Sequence, residues 1–204
     1  MISIVNYGLG NLKAIANIYK QLNIPAEIID SREQLQKSSK IILPGVGSFD
    51  HAMNQLNNSG LRETLDELVL EKEIPVLGIC VGLQMLAYNS DEGNMEGLNW
   101  IDANVRKFDV TKLNHATQLP HMGWNDVLPI KVNPLLAGLE KDAIFYFLHS
   151  YYFACNKSED IIAECDYGIR YTCAVNHKNI YGVQFHPEKS HNYGIQLLNN
   201  FASL

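Results

Sequence analysis

An apolar run, Ile74 to Ile79, ends in Gly78-Ile79-Cys80-Val81-Gly82, and Leu83 to Tyr88 follows with helix-like composition. A buried strand that must turn at once into a helix, with a cysteine at the corner, is the cysteine form of a nucleophile elbow. The two glycines remove side chains that would block the tight turn and the approach of a ligand. The sulfur would face the positive end of a helix, which favours negative charge on it. A cysteine in such a run is by default a small core residue, so the elbow alone leaves both readings of Cys80 open.

A second element lies far downstream. Ile180 to Phe185 reads as a strand and runs into His186-Pro187-Glu188. A thiol nucleophile needs a base for its proton, and the base needs a group that fixes its tautomer. Histidine titrates near neutrality and suits the first role, and a nearby carboxylate suits the second. Pro187 fixes one backbone angle between them. Alone, this triplet reads first as an ordinary strand exit with a solvated carboxylate. Together with Cys80 it is much harder to dismiss.

With Gly78-Ile79-Cys80-Val81-Gly82-Leu83-Gln84, Gly182 to Glu188, and the strand and loop Ile41-Ile42-Leu43-Pro44-Gly45-Val46-Gly47, the chain resembles the class I (triad) glutamine amidotransferases. The resemblance implies an α/β fold, a central mostly parallel sheet flanked by helices with an antiparallel extension. It implies Cys80 as nucleophile, His186 as general base and acid, and Glu188 as orienter. It also implies an oxyanion hole from the N–H of Val81 and the Val46-Gly47 region. A peptide there could turn its carbonyl inward until a partner docks, and Gly45 and Gly47 would make the turn inexpensive.

Local pattern agrees with α/β organisation. Ile2 to Asn6, Ala26 to Ile29, Lys40 to Leu43 and Val76 to Ile79 are short apolar runs, alternating with helical stretches such as Leu12 to Leu22 and Leu61 to Lys72. Alternation of this kind builds a parallel sheet. From Asn104 the texture changes to strands between turns: Val105 to Phe108, Asn125 to Leu128, Ala143 to Phe147, Tyr151 to Cys155 and Tyr171 to Asn176, before a closing helix over Tyr193 to Phe201. No linker or repeat interrupts the chain, so one glutaminase domain over residues 1–204 is expected.

Composition excludes several classes of function. The apolar fraction of 47% and charged fraction of 19% are those of a globular protein. No apolar run approaches the roughly 18 residues that span a bilayer, and Met1 to Val5 lacks the basic start of a signal peptide. With 22 acidic and 16 basic residues, net −6, non-specific binding to nucleic acid is not expected. Cys80, Cys155, Cys165 and Cys173 show no paired spacing. No metal and no cofactor are expected, and a cytoplasmic setting is. Gly8-Leu9-Gly10 after the first strand opens like a dinucleotide fingerprint, but Lys13 stands where the third glycine belongs, so nucleotide binding is rejected.

Within the family, Leu119 to Asn125, Tyr146 to Tyr151 and Lys189-Ser190 are similar to the glutaminase subunits of imidazole glycerol phosphate synthases. That similarity implies glutamine as substrate, held by Gln84 and Glu92 with backbone from Ser150 and Tyr151. A glutamine ligand offers an ammonium for a carboxylate and a carboxylate for N–H donors. In isolation Glu92 would read as a solvated loop charge. Leu9, Asn11, Trp124, Tyr146 and Lys189 would face a separate synthase (cyclase) subunit, a (β/α)₈ barrel, in a heterodimer of the histidine pathway. Trp124 reads equally as a core tryptophan, and His121 and His149 read as structural hydrogen-bonding histidines. Gly97-Leu98-Asn99-Trp100 and His191-Asn192-Tyr193-Gly194 look more like paralogues that supply ammonia to a nucleotide-sugar amidotransferase in surface-glycan synthesis, and that is the alternative. Rival readings from other classes are a catalytically silent regulatory protein, against which the intact triad weighs, and a cysteine peptidase, against which Gln84 and the Pro44-Gly45-Val46-Gly47 loop weigh.

Overall fold

The computed structural model describes residues 1–111, 113 and 118–204. Its strands are β1 (Ile2–Val5), β2 (Ala26–Ile29), β3 (Lys40–Gly45), β4 (Val76–Cys80), β5 (Ala103–Lys107), β6 (His121–Asp126), β7 (Leu128–Pro129), β8 (Ile144–His149), β9 (Tyr151–Cys155), β10 (Ile161–Asp166), β11 (Arg170–His177) and β12 (Ile180–Val183). Ten of them form one sheet in the order β2-β1-β3-β4-β12-β11-β10-β7, with β9 joining β11 and β5 joining β9. The β2 to β12 half is parallel. The pairings of β11 with β12, β9 and β10 are antiparallel. Every residue of β1 and β4 is buried, as strands covered on both faces require, and this is why those segments are continuous apolar runs. The β6 and β8 strands form a separate antiparallel pair.

The helices are α1 (Leu12–Gln21), α2 (Arg32–Leu35), α3 (Phe49–Asn58), α4 (Arg62–Asp66), α5 (Val81–Gln84) and α6 (His191–Ser203). Helix α1 buries Ile15, Ile18 and Tyr19, and the Tyr19 hydroxyl donates to the Leu198 carbonyl of α6 at 3.1 Å. Among the described residues no helix is long and apolar enough to cross a membrane.

Several boundaries differ from the sequence expectation. Leu61 to Lys72 splits into α4 and a π-helical turn over Glu67–Glu71. The helix expected to run from Leu83 to Tyr88 stops after Gln84. The carbonyls of Met85, Leu86 and Ala87 accept instead from Leu98, Trp100 and Asn99 of the following loop. Trp100 is buried and donates its Nε1–H to Asp66 at 2.8 Å, so its place in the sequence serves packing. Helix α3 and strand β10 were not singled out by pattern, and β6 begins four residues before the expected Asn125.

Candidate active site

The carboxyl ends of parallel strands are where open α/β sheets bind ligands. Here the segments leaving β1, β3, β4 and β12 converge on one cleft of about 540 Å³. Asn11, Val46, Gly47, Cys80, Val81, Gln84, Glu92, Ser150, Tyr151, His186 and Lys189 line it. Glu188 lies behind His186, and Leu9, Trp124 and Tyr146 are outside the lining.

Cys80 ends β4 and precedes α5 with φ 56° and ψ −112°, a backbone conformation that costs energy in a residue with a Cβ. The strain of the elbow therefore sits on Cys80 itself. Its glycines answer to close packing: a Cβ on Gly78 would sit 2.7 Å from the Gly82 carbonyl oxygen, and one on Gly82 would run into the Leu43 carbonyl. Gly45 is locked in the same way against the Gly82 N–H. Only Gly47, at φ +88° with nothing within 4 Å of a Cβ position, keeps the freedom that was expected of both.

His186 follows β12, held by its N–H to the Tyr146 carbonyl at 2.9 Å and by Ser190 Oγ, which donates to its carbonyl at 2.6 Å. Its Nδ1 meets Glu188 Oε1 at 2.8 Å, and the two side chains are only 4% and 2% exposed. Burial draws the imidazole pKa down. Hydrogen bonds to Cys80 and Glu188, with the negative charge of both groups, outweigh burial and push it up to about 10. Burial raises the Glu188 carboxyl, but the bond to His186, its charge and the Asn11 amide hold it below its ordinary value. The pair is thus a buried imidazolium and carboxylate in hydrogen-bond contact with Cys80.

Asn11, expected at a partner surface, is half-buried and lines the cleft. Its Nδ2 donates to Glu188 Oε1 at 2.6 Å, so it acts on the orienting carboxylate. Gln184 was missed. It is fully buried, and its Nε2 lies 3.9 Å from Cys80 Sγ. The signal available was a polar residue inside the otherwise apolar run Val183-Gln184-Phe185. Gln84 donates from Nε2 to the Tyr151 carbonyl at 3.1 Å and to Gln184 Oε1 at 3.2 Å, so only its oxygen remains for a ligand. Glu92 is not a solvated charge: its Oε2 accepts from the Phe49 N–H at 2.8 Å, capping α3 while the residue lines the cleft.

Beside the cleft, the β6–β8 pair turns an apolar face outward. Met122, Trp124, Ile144 and Leu148 are 64%, 44%, 37% and 38% exposed. The exposure rules out a core tryptophan. Trp124 lies against His191 with ring centroids 5.2 Å apart and edge-on to Tyr146 at 6.2 Å. The Lys189 ammonium stands 5.5 Å over the Tyr146 ring. Leu9 is half-buried against the core.

An elbow cysteine, a histidine–carboxylate pair and a glycine loop at the carboxyl ends of adjacent central strands define a class, and the profile of glutamine amidotransferase class-I matches residues 3–203. The chain belongs to that family of enzymes. It is 53% identical over 204 residues to imidazole glycerol phosphate synthase subunit HisH of Leptospira interrogans, covering 100% of both chains. It is 54% identical over 205 residues to the protein of the same name from Bdellovibrio bacteriovorus, again covering 100% of each. A crystal structure of a glutamine amidotransferase superposes with a TM-score of 0.76 at 16% identity, covering 100% of this chain and 99% of that one, a likeness of fold.

Proposed function

We propose that the chain is a single-domain glutaminase subunit of imidazole glycerol phosphate synthase, hydrolysing glutamine and passing ammonia to a cyclase subunit for histidine biosynthesis. The observation that carries the chemistry is the contact of Cys80 with a buried His186–Glu188 pair inside one cleft. The full-length relatives named above support the pathway over the nucleotide-sugar alternative.

In this reading Cys80 sulfur attacks the side-chain amide carbon of glutamine. The oxygen takes up negative charge facing the N–H of Val81 and the Val46-Gly47 loop, where each donor can contribute about 3 kcal/mol. The His186 imidazolium gives its proton to the departing ammonia, leaving a γ-glutamyl thioester. Neutral His186 then takes a proton from water as the water attacks, glutamate leaves, and the sulfur departs as thiolate beside the re-formed His186 imidazolium, the starting state. Glu188 holds the ring, and Asn11 holds Glu188. Gln84 oxygen and Glu92 would accept from the substrate ammonium.

The partner is a separate (β/α)₈ cyclase, docked on Trp124, Tyr146 and Lys189, with both subunits in the cytoplasm. The freedom at Gly47 would let docking turn a peptide of the oxyanion loop, making hydrolysis depend on the partner. Ammonia release from glutamine is measured for the chain alone and with the cyclase. Stimulated release that disappears in Cys80→Ala is expected; release by the variant, or cleavage of peptides in place of glutamine, overturns the reading.

A further inference from the structure

A buried polar cluster runs from strand β6 to the cleft, which its His149 lines, and the proposed chemistry does not use it. Tyr171 on β11 is 3% exposed, His121 2% and His149 6%. Asn125 Nδ2 meets His121 Nε2 at 3.3 Å, His121 Nδ1 meets the Tyr171 hydroxyl at 3.0 Å, and that hydroxyl meets His149 Nε2 at 3.2 Å. His149 Nδ1 meets the Tyr151 carbonyl at 2.8 Å. Gln84 Nε2 reaches the same carbonyl and Gln184, and Gln184 Nε2 reaches Cys80 Sγ. A continuous chain thus joins strand β6 to the nucleophile.

The two ends fix its direction independently. A carbonyl can only accept, so His149 carries its proton on Nδ1 and Nε2 must accept. An amide nitrogen can only donate, so His121 accepts on Nε2 and donates from Nδ1. Tyr171 is then required to accept from His121 and donate to His149, which one hydroxyl does. Its oxygen also touches the Cys165 thiol, a weak contact that leaves this order intact. Both imidazoles stay neutral. Burial holds His121 at about 4. Burial, with the neighbouring His121 and His186, holds His149 at about 3 despite the bond to the Tyr151 carbonyl.

We propose that Tyr171 is a positioning residue for glutamine: its hydroxyl fixes the His149 ring, which pins the Tyr151 carbonyl and, through Gln84 and Gln184, the cleft wall and the approach to Cys80. The role rests on the glutaminase reading, but the hydrogen-bond order does not.

The test is a double-mutant cycle on the complex with the cyclase. Tyr171→Phe removes one oxygen and keeps the ring, which packs edge-on to Phe108 at 5.1 Å between centroids. It is expected to raise KM for glutamine about fivefold to tenfold, the worth of about one hydrogen bond, while kcat moves less than about threefold. In a His149→Phe background, where the link is already cut, Tyr171→Phe is expected to change KM no further. An equal effect in both backgrounds, or an unchanged KM in the first, overturns the proposal, because a packing role would behave so. Should Tyr171→Phe not fold, Asn125→Ala at the outer end reads the same chain, with a smaller rise of about twofold to threefold that also vanishes in His149→Phe. ¹⁵N NMR of the wild-type imidazoles needs no activity. His149 protonated on Nδ1 is expected, and protonation on Nε2 overturns the hydrogen-bond order even where glutamine is not hydrolysed.

Discussion

Replacing Glu188 with glutamine isolates the charge of the orienting group from its shape. An amide oxygen can still accept from His186 Nδ1 and Asn11 Nδ2, which meet Glu188 Oε1 at 2.8 and 2.6 Å. What disappears is the negative charge, and at 4% and 2% side-chain exposure solvent does not screen that loss. Bonds to charged groups contribute about 1.5–3 kcal/mol and neutral ones about 0.5–1.5, a difference of about 1–1.5 kcal/mol. At about 1.4 kcal/mol per tenfold, the imidazolium becomes about ten times easier to deprotonate. The His186 pKa, pushed up to about 10 in the wild type, therefore falls. The alkaline limb of kcat/KM, where the imidazolium loses its proton, should move down by about one pH unit. The plateau should fall about tenfold, because the charge formed in the reaction loses its partner. The assay is glutamine hydrolysis by the complex between pH 6 and 11, with His186 titrated by NMR. An unmoved alkaline limb and an unmoved His186 titration would refute the account of the pair.

Other outcomes follow from the same structure. Because the folded His186 pKa lies above its ordinary 6.5, its contribution to stability is full below pH 6.5 and is lost as pH rises through about 10. The melting temperature should decline across that window, and decline less in Cys80→Ala, which lacks one of the two groups that hold the proton. Trp124→Ala should weaken binding to the cyclase by about 2 kcal/mol, or roughly thirtyfold, by titration calorimetry. It should leave the melting of the isolated chain unchanged, since the ring is 44% exposed. Glu92→Gln should cost about 0.5–1 kcal/mol in unfolding free energy from the start of α3 and raise KM for glutamine; an unchanged KM would restrict Glu92 to capping.

How far the sequence carries depends on how local the cause is. Strands β1 and β4 were legible because burial on both faces writes a continuous apolar run, and the elbow because its glycines are forced by contact with Leu43 and with each other. Helix α3 was legible in principle, since Phe49, Ala52, Met53 and Leu56 have helical spacing and are all buried. The early end of α5 was not, because the Tyr88 N–H that would close the expected helix on the Gln84 carbonyl goes to the Ala103 carbonyl, and that competition is tertiary. The same holds at the site. Cys80, His186 and Glu188 sit in motifs, whereas Asn11 reaches Glu188 from 177 residues away, Gln184 meets Gln84 and Cys80 only when β12 lies beside β4, and Tyr171 meets His121 and His149 only when the β6–β8 pair packs on β11. Strand β6 was misjudged because Gly123, at φ +127°, interrupts its pattern while its backbone still pairs with β8.

The central claim is that Cys80 is the nucleophile for glutamine, and covalent labelling tests it most directly. Burial pushes the Cys155 and Cys165 thiols up to about 12 and Cys173 well above its ordinary value, so these three are poor competitors. The complex is treated with a glutamine-like electrophile, with and without excess glutamine, and its peptides are read by mass spectrometry. One adduct on the Cys80 peptide, suppressed by glutamine, is the predicted result. Labelling of Cys155, Cys165 or Cys173 ahead of Cys80, or labelling of Cys80 that glutamine does not slow, would contradict it.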